Sequence, residues 1–261
     1  MRQRQGFTLI ESVTLLTALS IGGALGAAAL TLNGSKEKAM QNSTQLKGIH
    51  RSFVVFAQSN KKGGNDGYFP GLNPAGDLVD GSTEGRLQLL LEGNFFTGDD
   101  IVSPLENLTS WTPDRNGEEP PLFPEQHSYA MLRINEPLMD DGRRLEWKET
   151  LNTAAIVLGD RNTSVPETPR SVWSEGTEHE DWAGGVTRND NSTSFETSPK
   201  FDFTKFGNRP ANEQDHLFIA ETAEGSDTLL TFSMDAFGHE VPTPRRNDAD
   251  PPALPVIDGA M

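Results

Sequence analysis

The chain contains no cysteine among its 261 residues. This absence excludes disulfide bonds, a thiolate nucleophile and a cysteine-based zinc site. A domain of about 200 residues can nevertheless be stable through burial alone. Glycine and proline are plentiful, at 25 and 17 residues, and this composition favours a turn-rich domain over a compact helical bundle.

Cationic residues are scarce, with 22 lysines and arginines against 38 acidic residues and a formal net charge of −16. An acidic surface repels phosphate backbones and discourages unspecific self-association. No basic patch with interleaved aromatic residues is visible in the sequence. We therefore expect no nucleic-acid partner for the exposed domain.

The sequence also lacks the common catalytic motifs: it has no P-loop, dinucleotide fingerprint, nucleophile elbow or paired-histidine zinc motif. We therefore expect no enzyme activity and no catalytic residues. An exposed polar loop is the simplest interpretation of His179, Glu180 and Asp181. No cofactor is expected, with calcium as the one open possibility. Three acidic pairs could supply oxygen ligands for calcium, although none matches an EF-hand loop. These pairs are Asp99 with Asp100, Asp140 with Asp141, and Asp248 with Asp250.

The first 32 residues hold the most specific pattern in the chain. Arg2 and Arg4 precede the run Gly6-Phe7-Thr8-Leu9-Ile10-Glu11, and no charged residue follows before Leu32. At about 1.5 Å per residue this uncharged run is long enough to cross a hydrocarbon core of roughly 30 Å. It predicts a membrane-spanning helix over 7–32, with the N-terminus cytoplasmic and the following domain outside.

The run from Gly6 to Glu11 resembles the N-terminus of type IV prepilins and type II secretion pseudopilins. The resemblance implies that residues 1–6 are a leader, that prepilin peptidase cleaves between Gly6 and Phe7, and that Phe7 is then N-methylated. It also implies that Glu11 pairs with the terminal amine of a neighbouring subunit during assembly. The implied partners are prepilin peptidase, other pilin or pseudopilin subunits and an inner-membrane assembly platform. The implied location is the inner membrane, as a single-pass protein, and then a pilus or pseudopilus.

Residues 33–60 are predicted to form the amphipathic second half of the same helix. Cationic and glycine residues from Lys61 to Gly67 would end it. We assign His50 no chemistry, since a histidine here is usually a surface or packing residue. The apolar stripe predicted for this helix consists of Met40, Leu46, Ile49, Phe53 and Phe56.

Two further stretches are similar to a variant group of prepilin-like proteins that is abundant in planctomycete-type bacteria. The first covers residues 45–50 and 56–57 and ends in Gly67-Tyr68-Phe69-Pro70-Gly71. The second, residues 182–196, resembles a hairpin of that group. The hairpin often carries a histidine after its turn, where this chain has Ser192-Thr193-Ser194.

For residues 61–241 we predict a globular α+β head. The resemblance implies a pilin-like arrangement in which the long N-terminal helix packs on an antiparallel sheet with long loops. A short helix over 84–94 would direct Leu87, Leu90 and Leu91 to the core, and Trp111 and Phe123 would be anchors in a proline-rich connection. Residues 242–261 are predicted to form a proline-rich mobile tail. Strands are predicted over 128–134, 153–158, 182–188, 192–196, 216–220 and 228–234.

These features predict a structural subunit that is processed by prepilin peptidase and polymerises through its N-terminal helix. The sequence leaves open whether the assembly is a type IV pilus or a type II secretion pseudopilus, and whether the subunit is major or minor. One alternative is a membrane-anchored extracytoplasmic binding module that does not polymerise. Another is cleavage by ordinary signal peptidase near Ala27-Ala28-Ala29, which would release a soluble acidic protein.

Overall fold

The computed structural model describes residues 36–61, 67–114, 119–135, 141–174, 181–202, 214–222 and 225–233. The chain divides into two units, residues 1–41 and 42–261. The first unit is described only at 36–41, which are helical. The predicted leader, membrane helix and tail lie outside the described residues. Within the ranges given above, no helix is long and apolar enough to cross a membrane.

Seven strands occur in the described part of the second unit: β1 (Tyr129–Leu132), β2 (Ile156–Asp160), β3 (Gly184–Arg188), β4 (Thr193–Glu196), β5 (Lys200–Phe201), β6 (Asp215–His216) and β7 (Leu230–Thr231). Five of them form one antiparallel sheet in the order β4-β3-β2-β1-β7, and β5 pairs with β6 in a separate ribbon. With its helices, the chain has the predicted α+β class.

The inner strands β1 and β2 are covered on both faces, because every residue of each is buried, whereas the edge strand β4 is partly exposed. Successive side chains of a strand point to opposite faces. Tyr129 and Met131 accordingly join one core cluster, whereas Ala130 between them joins another with Trp182 and Phe218. A strand buried on both faces needs no polar alternation, which explains the nearly continuous apolar runs of β1 and β2.

Residues 36–59 form the helix α1. The part that belongs to the second unit directs Leu46, Ile49, Phe53 and Ala57 into the core cluster that covers one sheet face. The helix ends near Asn60 as predicted, where the Asn60 amide and side chain both donate to the carbonyl of Phe56.

The predicted stripe of α1 is confirmed at Leu46, Ile49 and Phe53 and is wrong at Met40, which is 72% exposed. Asn42 occupies the buried position one turn before Leu46 and is fully buried. The positions 42, 46, 49 and 53 follow the i, i+4, i+7 spacing of one helix face, and 40 falls outside it. The buried face of α1 therefore begins with a polar residue.

The second helix, α2 (Thr83–Glu92), begins at Ser82, whose hydroxyl accepts a hydrogen bond from the Gly85 amide, and it stops at Gly93. Its three predicted core leucines, Leu87, Leu90 and Leu91, are buried. The third helix, α3 (Asp141–Glu146), is short and was not predicted.

Trp111 is buried as predicted, and its indole donates to the carbonyl of Pro120 at 2.8 Å. The prediction that Phe123 is an anchor is wrong, because its side chain is 53% exposed. Leu122 fills the core instead, and its amide donates to the Gln88 side chain of α2. The anchor of this connection is therefore Leu122, one residue before the predicted Phe123.

The predicted hairpin is confirmed by β3 and β4, with Thr187 opposite Thr193. Asn191, in its turn, has the positive φ of 64° that asparagine tolerates well. The strand predicted over 216–220 is confined to the β6 residue His216, because a turn follows in which the Ile219 amide donates to the His216 carbonyl. The strand predicted over 228–234 shortens to β7.

Candidate functional site

The interface between α1 and the sheet contains a buried carboxylate, that of Asp160 at the end of β2. Its Oδ2 accepts a hydrogen bond from the Asn42 side-chain amide of α1 at 2.7 Å and another from the Gly185 backbone amide of β3 at 2.6 Å. Both donors are neutral. Asp160 and Asn42 are among the most deeply buried polar residues of the described chain, so this contact joins helix and sheet away from water.

Two glycines in β3 make room for this contact. A Cβ on Gly184 would lie 2.8 Å from the Cβ of Asp160, and a Cβ on Gly185 would lie 2.6 Å from Cδ1 of Leu46 and 3.0 Å from Nδ2 of Asn42. Real Cβ atoms do not approach other atoms so closely. Gly185 therefore lets α1 approach the sheet closely enough for Asn42 to reach Asp160, and Gly184 leaves room for the Asp160 side chain.

Tyr129 extends the network across the interface, and it lies directly opposite Asp160 in the pairing of β1 with β2. Its hydroxyl lies 2.9 Å from Oδ1 of Asn42 and 3.1 Å from Oε1 of Gln45. Burial raises its pKa well above the usual value, and the carboxylates of Asp160 and Glu106 add to that rise. The hydroxyl therefore stays protonated and donates to the two amide oxygens of α1.

The environment of Asp160 favours its neutral form. Burial raises the pKa of this carboxyl from 3.8 to about 7, opposed mainly by the hydrogen bonds from Gly185 and Asn42. The nearby Glu106 carboxylate raises it further, and the Trp173 indole lowers it slightly. Oδ1 of Asp160 and Nε1 of Trp173 are both buried, and neither makes a hydrogen bond of good geometry among the described residues, so the indole acts on the carboxyl only weakly.

A buried ion pair lies beside this network. Arg161, the residue after Asp160, donates to Oε1 of Glu106 at 2.6 Å, and Glu106 also accepts a hydrogen bond from the Ser128 hydroxyl. The guanidinium of Arg161 lies 4.6 Å from the centre of the Phe232 ring. This cation is therefore already paired with Glu106.

The same Phe232 ring contacts a histidine that faces a carboxylate. Its centre lies 4.4 Å from that of the buried His127 ring, whose Nε2 is 3.5 Å from Oε1 of Glu84 in α2. Burial opposes ionisation of Glu84, but hydrogen bonds from His127 and Ser233 outweigh it and lower its pKa. These contacts connect α2 with the residue before Ser128 and with the residues after β7.

The predicted assembly residues, Gly6, Phe7 and Glu11, lie outside the described residues. Of the other predicted donor residues, Asp140, Asp248, Asp250, His179 and Glu180 also lie outside them, and only the backbone of Asp141 is described. Asp181 is exposed.

The first predicted calcium pair caps local backbone. Oδ2 of Asp100 accepts from both the amide and the hydroxyl of Thr97 at 2.8 Å, and Asp99 accepts from the Ser110 hydroxyl. Across the described ranges, no group of three or more histidine, aspartate or glutamate side chains is arranged to hold a metal ion.

The network around Asp160 was missed at the sequence level, although two signals pointed to it. Asp160 ends the otherwise apolar run Ile-Val-Leu-Gly-Asp, and Asn42 stands one turn before the first core leucine of α1. No family model matches the chain, and neither does any curated protein or solved structure. The function is therefore inferred from the N-terminal motif and from the geometry of α1 and the sheet.

Proposed function

We propose that the protein is a structural subunit of a type IV pilus or a type II secretion pseudopilus. The observation that carries the proposal is the order of its parts: the run from Gly6 to Glu11, an uncharged stretch to Leu32, and then a helix that enters an α+β head. Support from the fold is the packing of residues 42–59 on an antiparallel sheet. In this role residues 7–32 form the membrane-spanning and polymerising half of the helix.

The proposed mechanism combines cleavage with charge pairing. Removal of residues 1–6 exposes the amine of Phe7, which is then methylated. A lone carboxylate such as Glu11 in an apolar helix costs about 2.5–3.5 kcal/mol at the bilayer centre. Pairing Glu11 with the terminal amine of a neighbouring subunit removes that cost, and breaking a buried pair of this kind costs about 3–5 kcal/mol. The pair therefore favours one register between adjacent helices.

The head would transmit this register to the surface of the filament. Four apolar side chains of α1 and the bond from Asn42 to Asp160 hold the helix against the sheet. The acidic composition would keep the surface of the filament soluble.

Mass spectrometry of the mature N-terminus tests the processing step. We expect a chain that begins at methylated Phe7. A chain that begins near Ala29 or Leu30 would overturn the proposal, because ordinary signal peptidase would then have removed the assembly helix.

The variant Glu11→Ala tests the assembly step. We expect it to be inserted and cleaved normally but to be absent from filaments, as measured by crosslinking between neighbouring 7–32 segments. Glu37→Ala is the matched control, because Glu37 is an exposed carboxylate in α1 and should assemble normally. If the helix served only as the anchor of a binding module, Glu11→Ala would behave like the control and no crosslinks would form with either.

A further inference from the structure

The carboxylate of Asp160 is placed where α1 covers the sheet, and no cation among the described residues is bonded to it. Its Oδ2 is occupied by two neutral donors, on Asn42 and Gly185. Its Oδ1 is buried without a hydrogen bond of good geometry in the part of the chain that the structure describes, and the Trp173 indole is a further neutral donor that acts on the carboxyl. A proton bound at Oδ1 would therefore leave both existing hydrogen bonds intact.

We propose that Asp160 is a pH-sensitive switch at the interface between α1 and the sheet. A proton from solvent bound at Oδ1 makes the carboxyl neutral and tightens the docking of α1, and loss of this proton leaves a buried anion and loosens it. Because all of these residues lie outside the predicted membrane helix at 7–32, the proposal stands whether or not the protein polymerises.

Burial and the charge of Glu106 favour the neutral form of Asp160, whereas the hydrogen bonds from Asn42, Gly185 and Trp173 favour the ionised form and offset this only in part. From α1, Asp160 meets the amide of Asn42, and Leu46 packs beside it on Gly185; both side chains are neutral. From the segment before β1, the carboxylate of Glu106 repels a negative charge on Asp160 and so raises the pKa of Asp160. From β1, Asp160 meets Tyr129, whose hydroxyl stays protonated.

The cation next to Asp160 in sequence is engaged by another carboxylate. Arg161 follows it in sequence, but the guanidinium of Arg161 is bonded to Glu106. A further buried group, His50 of α1, affects stability with the opposite dependence on pH. Burial lowers the pKa of His50 from 6.5 to about 4, so acid destabilises the docked helix through His50. Any test must therefore separate Asp160 from His50.

The absence of cysteine allows a direct measurement of α1 docking in the full chain. Ser52→Cys places one nearly isosteric thiol at a buried position of α1, and Ser59→Cys places one at an exposed position of the same helix. The ratio of their labelling rates with a maleimide reports how often α1 opens. The exposed thiol corrects for the dependence of thiol reactivity on pH.

The decisive comparison is between the labelling ratio of Ser52→Cys to Ser59→Cys in the otherwise natural protein and the same ratio in the Asp160→Asn variant. Opening exposes the carboxyl of Asp160 to water and returns its pKa to the ordinary value. Opening is therefore favoured as pH rises toward the higher pKa that this carboxyl has in the docked state. Relative to Asp160→Asn, the natural protein should open about 30-fold more readily at about pH 8 than at about pH 5.5. His50 is present in both backgrounds, and its contribution cancels.

The proposal is overturned if the two backgrounds show the same dependence on pH, or if docking of the natural protein tightens relative to the variant as pH rises. Should Asp160→Asn fail to fold, Asn42→Ala carries the test. This variant removes a donor that favours the charged carboxyl, so the midpoint of the opening transition should move to higher pH. An unchanged midpoint would also overturn the proposal, because a purely structural contact would change the extent of opening without moving its midpoint.

Discussion

The side-chain amide of Asn42 donates to the carboxylate of Asp160, which lies 118 positions later in the chain. We predict that Asn42→Ala lowers the free energy of unfolding by about 1.5–3 kcal/mol, the usual range for a hydrogen bond to a charged group. The loss should be larger at about pH 8 than at about pH 5, since the ionised carboxylate is the stronger acceptor. Urea unfolding measures it. Ser43→Ala, at the adjacent half-buried position, should change the same free energy by less than about 0.5 kcal/mol.

Two glycine-to-alanine changes should act in opposite directions. Gly185→Ala should destabilise the protein by about 1–3 kcal/mol, because its Cβ would overlap Leu46 and Asn42 in a close-packed interface. Gly48→Ala should stabilise it by up to about 1 kcal/mol, since Gly48 lies within α1 and a Cβ there meets no atom within 4 Å. Thermal unfolding of the two variants compares them. Equal shifts would contradict the close approach of α1 to β3.

The buried pair of Arg143 and Asp227 provides a third prediction. Their side chains are 2.7 Å apart, and Arg143 also donates to the Asp227 carbonyl at 2.9 Å, which joins α3 to the segment before β7. Arg143→Met should cost about 3–5 kcal/mol, because it leaves the Asp227 carboxylate buried without its cation. Arg170→Met, at an exposed arginine, serves as the control and should be close to neutral. Urea midpoints distinguish the two outcomes.

His50 should make the protein less stable in acid. The pKa of His50 is about 4 in the folded state against a usual 6.5, so on acidification the unfolded chain binds the proton first. The free energy of unfolding therefore falls by up to about 3 kcal/mol as pH decreases through this range. Asp160 has a folded-state pKa of about 7 against a usual 3.8. Its contribution to the free energy of unfolding therefore increases as pH decreases, opposite to that of His50. His50→Leu should therefore gain stability on acidification relative to the natural protein, and Asp160→Asn should lose it. Urea unfolding at several pH values tests both signs, and parallel profiles for all three proteins would contradict them.

The elements that the sequence predicted well are those with local causes. The cap at Ser82 and the stop at Gly93 bound α2, and the Asn-Asp-Asn turn sets the hairpin of β3 and β4. The end of α1 near Asn60 likewise follows from the residues beside it. Short strands such as β7 were overestimated, because their length depends on partners that are distant in sequence.

The candidate switch illustrates the opposite case. Nothing within several residues of Asp160 indicates a helix above it, and nothing near Asn42 indicates a carboxylate. The helical pattern left the orientation of α1 uncertain by part of a turn, so Met40 was expected inside where the buried face in fact carries Asn42. Only the packing of the helix on β3 decided which side chain is buried.

By itself, the sequence determined the acidic composition, the absence of thiol chemistry, the run from Gly6 to Glu11 and the positions of the main helices and the hairpin. These properties depend on residue types and on short spacings. The tertiary structure alone decided that β1 and β2 are covered on both faces and that Asp160 loses its water beneath α1. Burial is a property of the assembled fold, because the atoms that exclude water from one side chain come from segments far away in the chain.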